Sequence, residues 1–302
     1  MSKTARSLLR VWLPLAATLA LASSAVYLGQ NTQFLSARPT STDNAANPLR
    51  ITTSVAVWAD IAAKIGGKRV VATAIVSKPG QDPHSYVATA RDQQAVNQAT
   101  VTIANGLDYD AFFSILTSAA PTKPQGHNLV IGCLPGCNQN PHVWYSFSQV
   151  AKAVPKIGRA IGASASQVAN YGQRIAKLES RARSLRTLSK GKSYLLTESF
   201  ASYLLQDLEM TDATPAGFKA AVENEQDASP LVMSGIHDLL KLHKVSVLVT
   251  NAQTSNPQTL QLTTWAKAAG VPVLSWSELL PAHQSYLSWM SANLSDIEGV
   301  LK

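Results

Sequence analysis

The chain has 302 residues, of which 46% are hydrophobic and 15% are charged. This composition can fill a hydrophobic core and the length suits about two domains, which excludes a wholly disordered or fibrous protein. Lys and Arg outnumber Asp and Glu by 26 to 18, a net charge of +8, but no long basic run is present, so we do not expect nucleic acid as a partner.

The N-terminus has the pattern of an export signal. Basic residues occur within residues 3–10, and residues 11–29 are uncharged and mostly apolar. This order predicts a secretory signal peptide over residues 1–29. Because about 20 apolar residues can cross a bilayer, an uncleaved N-terminal anchor is the alternative. We therefore expect the rest of the chain on the periplasmic or extracellular side of the membrane.

Residues 30–49 are polar and rich in Ser, Thr and Asn, which predicts a flexible linker.

The chain has two cysteines, Cys133 and Cys137, and both lie far from the N-terminus. Since no cysteine precedes them, we expect that the protein is not a lipoprotein. In an oxidising compartment the pair favours a short disulfide loop, with a reactive or metal-binding pair as the alternative.

From residue 50 onward, strand-like and helix-like segments alternate. Apolar runs predict strands at 51–55, 69–76, 101–104, 127–131, 194–197, 245–250 and 272–275. Helical spacing and end signals predict helices at 57–65, 91–99, 109–118, 200–208, 230–242, 257–269 and 285–301. Such alternation is typical of mostly parallel sheets flanked by helices. We therefore predict an α/β protein with an N-terminal lobe at 50–146 and a C-terminal lobe at 191–302.

The intervening residues 147–190 contain no clear strand. Apolar residues recur there at spacings of three and four, from Val168 to Leu185, which predicts one buried face of a helix. A helix of some 22 residues would be about 33 Å long. It could be a rigid spine that bridges the lobes, or an ordinary surface helix of one lobe.

Two histidines lie in loops that proline stiffens. His84 follows Pro83 in PGQDPHSY, directly after a predicted strand, and His142 follows Pro141 in NPHVWY. Proline fixes its own φ and restricts the residue before it, so each loop would hold its imidazole at a defined angle. Loops after parallel strands are where open α/β sheets bind ligands. The alternative for each is an ordinary loop or packing histidine.

Two carboxylates occupy matching positions in the second half. Glu198 follows the strand at 194–197, and Glu278 lies in the connection after the last strand. Either could be a solvated loop acid. Together with the two imidazoles, however, they would supply two nitrogen and two oxygen donors, a set that suits a divalent cation such as Zn²⁺ or Mn²⁺.

Other polar residues could support such a site from outside. We expect Asp82 and Asn140 to organise the two histidine loops, and Asn251 and Gln253 to support ligands. His283, close to Glu278 in sequence, is a candidate substitute or supporting group. The sequence contains no GxSxG, HExxH, GxGxxG or P-loop motif, which disfavours an enzyme.

From about residue 50 to 302 the chain resembles the zinc/manganese-type solute-binding proteins of bacterial ABC importers, the cluster A-I or TroA-like family. PGQDPHSY, VTIANGLDYDAF, NPHVWY, LLTESFASYLL and AGVPVLSWSELLP are similar to family segments in order and spacing. The resemblance implies two α/β lobes bridged by a long helix, with a metal ion held between them. His84 and His142 match the family's first two ligands, and Glu198 and Glu278 match the last two.

Three features depart from the family pattern. The His-rich loop of many zinc binders is absent between Asp108 and Asn140, CLPGC is an unusual insertion, and Ser146 stands where Asp is common. The resemblance implies delivery of Zn²⁺ or Mn²⁺ to an ABC transporter permease, and we expect a monomer. The alternatives are a metal-dependent hydrolase and a metal-free surface adhesion protein on the same fold.

Overall fold

The computed structural model describes residues 47–78, 81–83, 85–120 and 127–302. The expected signal segment and most of the expected linker lie outside these residues, and so does His84. Within the described part of the chain, no helix is both long enough and apolar enough to cross a membrane.

The first half of the described chain forms a four-stranded parallel sheet in the order β2-β1-β3-β4. Its strands are β1 Leu49–Val55, β2 Val70–Val76, β3 Val101–Ala104 and β4 His127–Val130. The helices between them are α1 Ala56–Gly66, α2 Ala90–Gln98 and α3 Ala111–Ala119. The order places the carboxyl ends of β1, β3 and β4 along one edge of the sheet, where the chain leaves each strand for a loop.

The second half forms another four-stranded parallel sheet, in the order β6-β5-β7-β8. Its strands are β5 Ser193–Leu196, β6 Thr211–Asp212, β7 Val247–Asn251 and β8 Val273–Trp276. Its helices are α6 Ser202–Asp207, α7 Ala216–Glu223, α8 Pro230–Lys241, α9 Pro257–Ala268 and α10 Tyr286–Leu301. The predicted α/β fold of two parallel sheets flanked by helices is confirmed.

Two helices connect the sheets, α4 Phe147–Ala160 and α5 Ala165–Ser189. With 25 residues, α5 is about 37 Å long. Ser164 and Gln167 form a capping box that satisfies free N–H groups at its start. The predicted apolar face packs against α1, α4 and α10, so helices from both ends of the described chain contact it. That α5 acts as a rigid spine stays a prediction.

The second sheet separates two hydrophobic clusters. Tyr194 and Leu196 of β5 point into the larger cluster, whereas Leu195 between them points into the smaller one beneath α8 and α9. The larger cluster also covers one face of the first sheet and contains Trp58 and Trp144. Because this core is continuous between the two sheets, the lobe boundaries at residues 146 and 191 stay a prediction.

Candidate metal centre

The side chain of Asn140 holds His142 in one orientation. Asn140 Oδ1 accepts a hydrogen bond from the His142 backbone N–H at 2.9 Å and lies 2.7 Å from His142 Nδ1. Asn140 Nδ2 donates to the Ser199 carbonyl at 2.8 Å, which fixes which end of the amide is oxygen. An amide oxygen only accepts, so His142 Nδ1 carries a proton. The other ring nitrogen, Nε2, points away from Asn140 and towards Glu278.

Nε2 of His142 faces Glu278 across the junction between the two halves. Its distance from Glu278 Oε1 is 3.0 Å, and both residues are 6% exposed. Glu278 Oε1 also accepts a hydrogen bond from Tyr109 Oη at 2.6 Å. Burial raises the pKa of Tyr109, and the nearby Glu278 carboxylate raises it further, so the phenol stays a donor. Trp144 Nε1 donates to the Glu278 carbonyl at 2.9 Å and holds the backbone in place.

Glu198, at the end of β5, is joined to Glu278 through Asn251 at the end of β7. Asn251 Nδ2 donates to Glu198 Oε2 at 2.7 Å and to Glu278 Oε2 at 2.9 Å. Thr254 Oγ1 donates to the other Glu198 oxygen. Burial raises the pKa of Glu198, and the two hydrogen bonds oppose that rise. Asn251 therefore holds together two carboxylates that would otherwise repel one another.

The remaining predicted supporting residues differ in their placement. Gln253 Oε1 accepts hydrogen bonds from Leu279 N at 2.6 Å and Ser277 Oγ at 3.1 Å, on both sides of Glu278. Asp82 Oδ2 accepts one from Ser85 Oγ at 2.7 Å. His283 is exposed, has a φ of 63°, and is outside the residues that line the cavity described below, so a supporting role for it stays a prediction. Its left-handed backbone lies in the turn before α10.

The two cysteines lie in the same loop as His142. A disulfide joins Cys133 and Cys137, whose Cα atoms are 5.6 Å apart. The sequence favoured this pairing over a reactive or metal-binding pair, and the bridge leaves no free thiol in the described chain. The cystine therefore supplies no metal ligand in this state.

Beside the candidate ligands lies an open cavity of about 900 Å³. Among the described residues, its lining includes seven carboxylates and one lysine, although Lys and Arg outnumber Asp and Glu in the chain. The carboxylates are Asp82, Glu198, Asp212, Glu223, Glu225, Asp227 and Glu278. Lys219 is itself paired with Asp212 at 2.6 Å. The cavity is thus negatively charged in a protein of positive net charge, which favours cations inside it.

The described residues alone do not form a complete set of metal ligands. Within the described ranges, no three His, Cys, Asp or Glu side chains are arranged to hold a metal ion. His142 and Glu278 adjoin, whereas the amide of Asn251 stands between the two carboxylates.

The sequence did not single out Tyr109 as a residue of the site. Its position in the loop after β3, at the same sheet edge as the loop of His142, was the available signal.

Comparison with known proteins agrees with this fold. Residues 51–300 match the family model described as ZnuA, zinc-uptake complex component A, periplasmic. The manganese-binding lipoprotein MntA of Bacillus subtilis is 31% identical over 122 residues, which is 38% of this chain and 40% of that protein. PsaA of Streptococcus pneumoniae, a manganese ABC transporter substrate-binding lipoprotein, is 22% identical over 87% of this chain and 92% of its own length.

A solved structure is similar throughout the described fold. The periplasmic metal-binding protein of Candidatus Liberibacter asiaticus superposes with a TM-score of 0.65 at 18% identity. The match covers 84% of this chain and 99% of that one. At this identity, the likeness concerns the fold alone.

These relatives correct one expectation. We expected that the protein is not a lipoprotein, because the first cysteine is Cys133. MntA and PsaA are both lipoproteins by name, which contradicts that expectation. The position of the first cysteine was an insufficient basis for excluding lipid attachment, and the exclusion is withdrawn.

The family model spans most of the chain, from the first strand to the last helix. The relatives that cover most of their own length include a substrate-binding protein of a metal ABC transporter. The resemblance inferred from PGQDPHSY and NPHVWY is thereby confirmed, and the chain belongs to the ZnuA family of metal solute-binding proteins.

Proposed function

We propose that the protein binds one divalent transition-metal ion, Zn²⁺ or Mn²⁺, outside the cytoplasm and delivers it to the membrane permease of an ABC importer. The observation that carries the proposal is the pair of His142 Nε2 and Glu278 Oε1, which face each other at 3.0 Å from opposite halves of the chain. Both atoms are lone-pair donors once Nδ1 holds the ring proton. Such a pair needs a positive charge between its members.

The geometry of that pair suits a metal with little rearrangement. Two ligands of a tetrahedral Zn²⁺, bound at roughly 2.1 Å, lie about 3.4 Å apart. The observed 3.0 Å therefore requires the two atoms to separate by only a few tenths of an ångström. Tyr109 and Asn140 would keep their hydrogen bonds to Glu278 and His142 and so orient the ligands.

We assign four ligands, His84, His142, Glu198 and Glu278. Glu198 is included because Asn251 donates hydrogen bonds to both its carboxylate and that of Glu278. His84 is assigned from PGQDPHSY, since it lies outside the described residues. On its two sides, Asp82 and Ser85 are hydrogen-bonded to each other, which would restrain the loop that presents its ring.

In the proposed function the protein is a metal carrier without catalytic activity. Four protein ligands saturate a tetrahedral ion and leave no position for an activated water, which a hydrolytic metal centre needs. We also propose that it acts as a monomer. An adhesion protein that uses the fold without metal would take up neither ion, so metal uptake separates that alternative from ours.

Two imidazoles and two carboxylates are compatible with both Zn²⁺ and Mn²⁺. Competitive titration of the purified protein with the two ions identifies the cargo. The same titration on His84→Ala and His142→Ala tests the ligands: each change should abolish stoichiometric binding and leave the circular-dichroism spectrum unchanged. His237→Ala is the control, since this half-buried ring packs on Trp265 and does not line the cavity. Undiminished metal content in both ligand variants would remove the assignment.

A further inference from the structure

The disulfide turn, residues 133–137, packs against helix α4 on one side. Leu134 N donates to Gln149 Oε1 at 3.2 Å, and Lys152 Nζ donates to the Pro135 carbonyl. Gln149 is 1% exposed, so its amide is held in the core of the first half. The turn is closed internally by a hydrogen bond from Cys137 N to the Leu134 carbonyl at 3.0 Å.

On its other side, the same loop is fastened to the second half of the chain by Tyr203 of α6. Tyr203 Oη accepts from Asn138 N at 3.2 Å and donates to the Asn140 carbonyl at 3.1 Å. Asn140 Nδ2 then donates to the carbonyl of Ser199, the residue after Glu198. The loop thereby links the backbone beside His142 to the backbone beside Glu198.

Apolar burial holds this loop only at Leu134 and, in part, at Cys137. Pro135, Gly136, Asn138 and Gln139 are exposed, and Leu134 is its buried apolar anchor. Its conformation therefore depends on the covalent bridge and on a few hydrogen bonds. A disulfide restricts the conformations of the chain it closes, and His142 follows the bridge by only five residues.

We propose that the disulfide turn and Tyr203 form a latch that positions His142 on the metal and sets the rate of metal release. The proposal rests on the proposed function, because the latch acts through a metal ligand. Cys133, Cys137 and Tyr203 are positioning residues in it. Opening the latch frees the loop between the two halves, and His142 can then leave the ion without any movement of the sheets.

The test is the metal dissociation rate, measured by stopped flow after mixing the metal-loaded protein with excess chelator. Tyr203→Phe removes both hydrogen bonds of the hydroxyl and should speed dissociation about tenfold. The Cys133→Ala/Cys137→Ala double variant should do the same. Association should stay within about twofold of the wild-type rate, since the latch hydrogen bonds are already formed without the ion and its entry does not require the latch to move.

Tyr171→Phe is the matched control, because this buried hydroxyl has no hydrogen-bond partner among the described residues. It should leave dissociation unchanged. Combining Tyr203→Phe with the cysteine double variant should give no further acceleration if both act on one latch. Dissociation at the wild-type rate in Tyr203→Phe overturns the latch while leaving the proposed function intact. A wild-type protein that retains no metal overturns both.

Discussion

His142 Nε2 lies 3.0 Å from Glu278 Oε1, although the two residues are 136 positions apart in the chain. The amide oxygen of Asn140 requires the ring proton on Nδ1, so the short distance brings two acceptors together unless a proton or metal ion lies between them. A metal ion placed between the two atoms would accept a lone pair from each of them.

Metal binding should release protons, because metal ligands bind in their deprotonated forms. The measurement is calorimetric titration between pH 5 and pH 8 in buffers of different ionisation enthalpy. Binding by the wild-type protein with no proton release at any pH between 5 and 8 would contradict imidazole and carboxylate ligands.

Asn251 should be important for affinity although it is not a proposed ligand. Its single Nδ2 group donates to both Glu198 and Glu278. Asn251→Ala should weaken metal binding about 10- to 100-fold, the usual range for a residue that orients ligands. Asn224→Ala, at an exposed helix end, is the matched control. Equal affinities in the two variants would show that Asn251 does not orient the carboxylates.

Glu198 should lower the stability of the metal-free protein at neutral pH. Burial raises its folded-state pKa, so the folded protein binds the proton more tightly than the unfolded chain does. The ionised carboxylate therefore costs stability above the unfolded pKa, and this cost disappears as the pH falls through the folded pKa.

Glu198→Gln, measured by thermal unfolding with chelator present, should accordingly be more stable than wild type at pH 8, with a smaller advantage at pH 5. Added metal should raise the wild-type melting temperature and leave that of the variant unchanged. A variant that is less stable than wild type at pH 8 would show that the Asn251 and Thr254 hydrogen bonds outweigh burial.

The acidic cavity should accelerate metal entry. Replacing Glu223, Glu225 and Asp227 by their amides removes three negative charges from its lining. We expect association to slow about tenfold at low ionic strength and by less at high salt, because salt screens exposed charges. Dissociation should not change, which separates this variant from those of the latch. An association rate that changes neither with the three substitutions nor with ionic strength would exclude electrostatic steering.

Several elements could be predicted because their signals are local. Helix α8 begins at Pro230 with Ser229 as its N-cap, as the Ser-Pro pair indicates, and β3 occupies the predicted Val101–Ala104. Strand β6 and helix α7 were not predicted. Strand β6 has two residues and exists through its pairing with β5, Ser193 with Thr211, a contact that no local pattern encodes.

The candidate site also combines residues that local sequence signals predict with contacts that depend on tertiary packing. Glu198 and Glu278 could be proposed because each follows a strand, and the rule for parallel sheets places strand ends together. The contact between Tyr109 and Glu278 spans 169 positions and depends on how the two sheets pack. Asn140 was expected to organise the His142 loop, but the three contacts of its amide, one of them to Ser199 in the other half, required coordinates.

The most direct measurement is the metal content of the purified protein after exposure to equal amounts of Zn²⁺ and Mn²⁺ and removal of free ions, compared with that of Glu278→Gln treated alike. We predict close to one ion per wild-type chain and almost none in the variant. Equal loading of both proteins, or none in the wild type, would contradict a cation bound between the two halves.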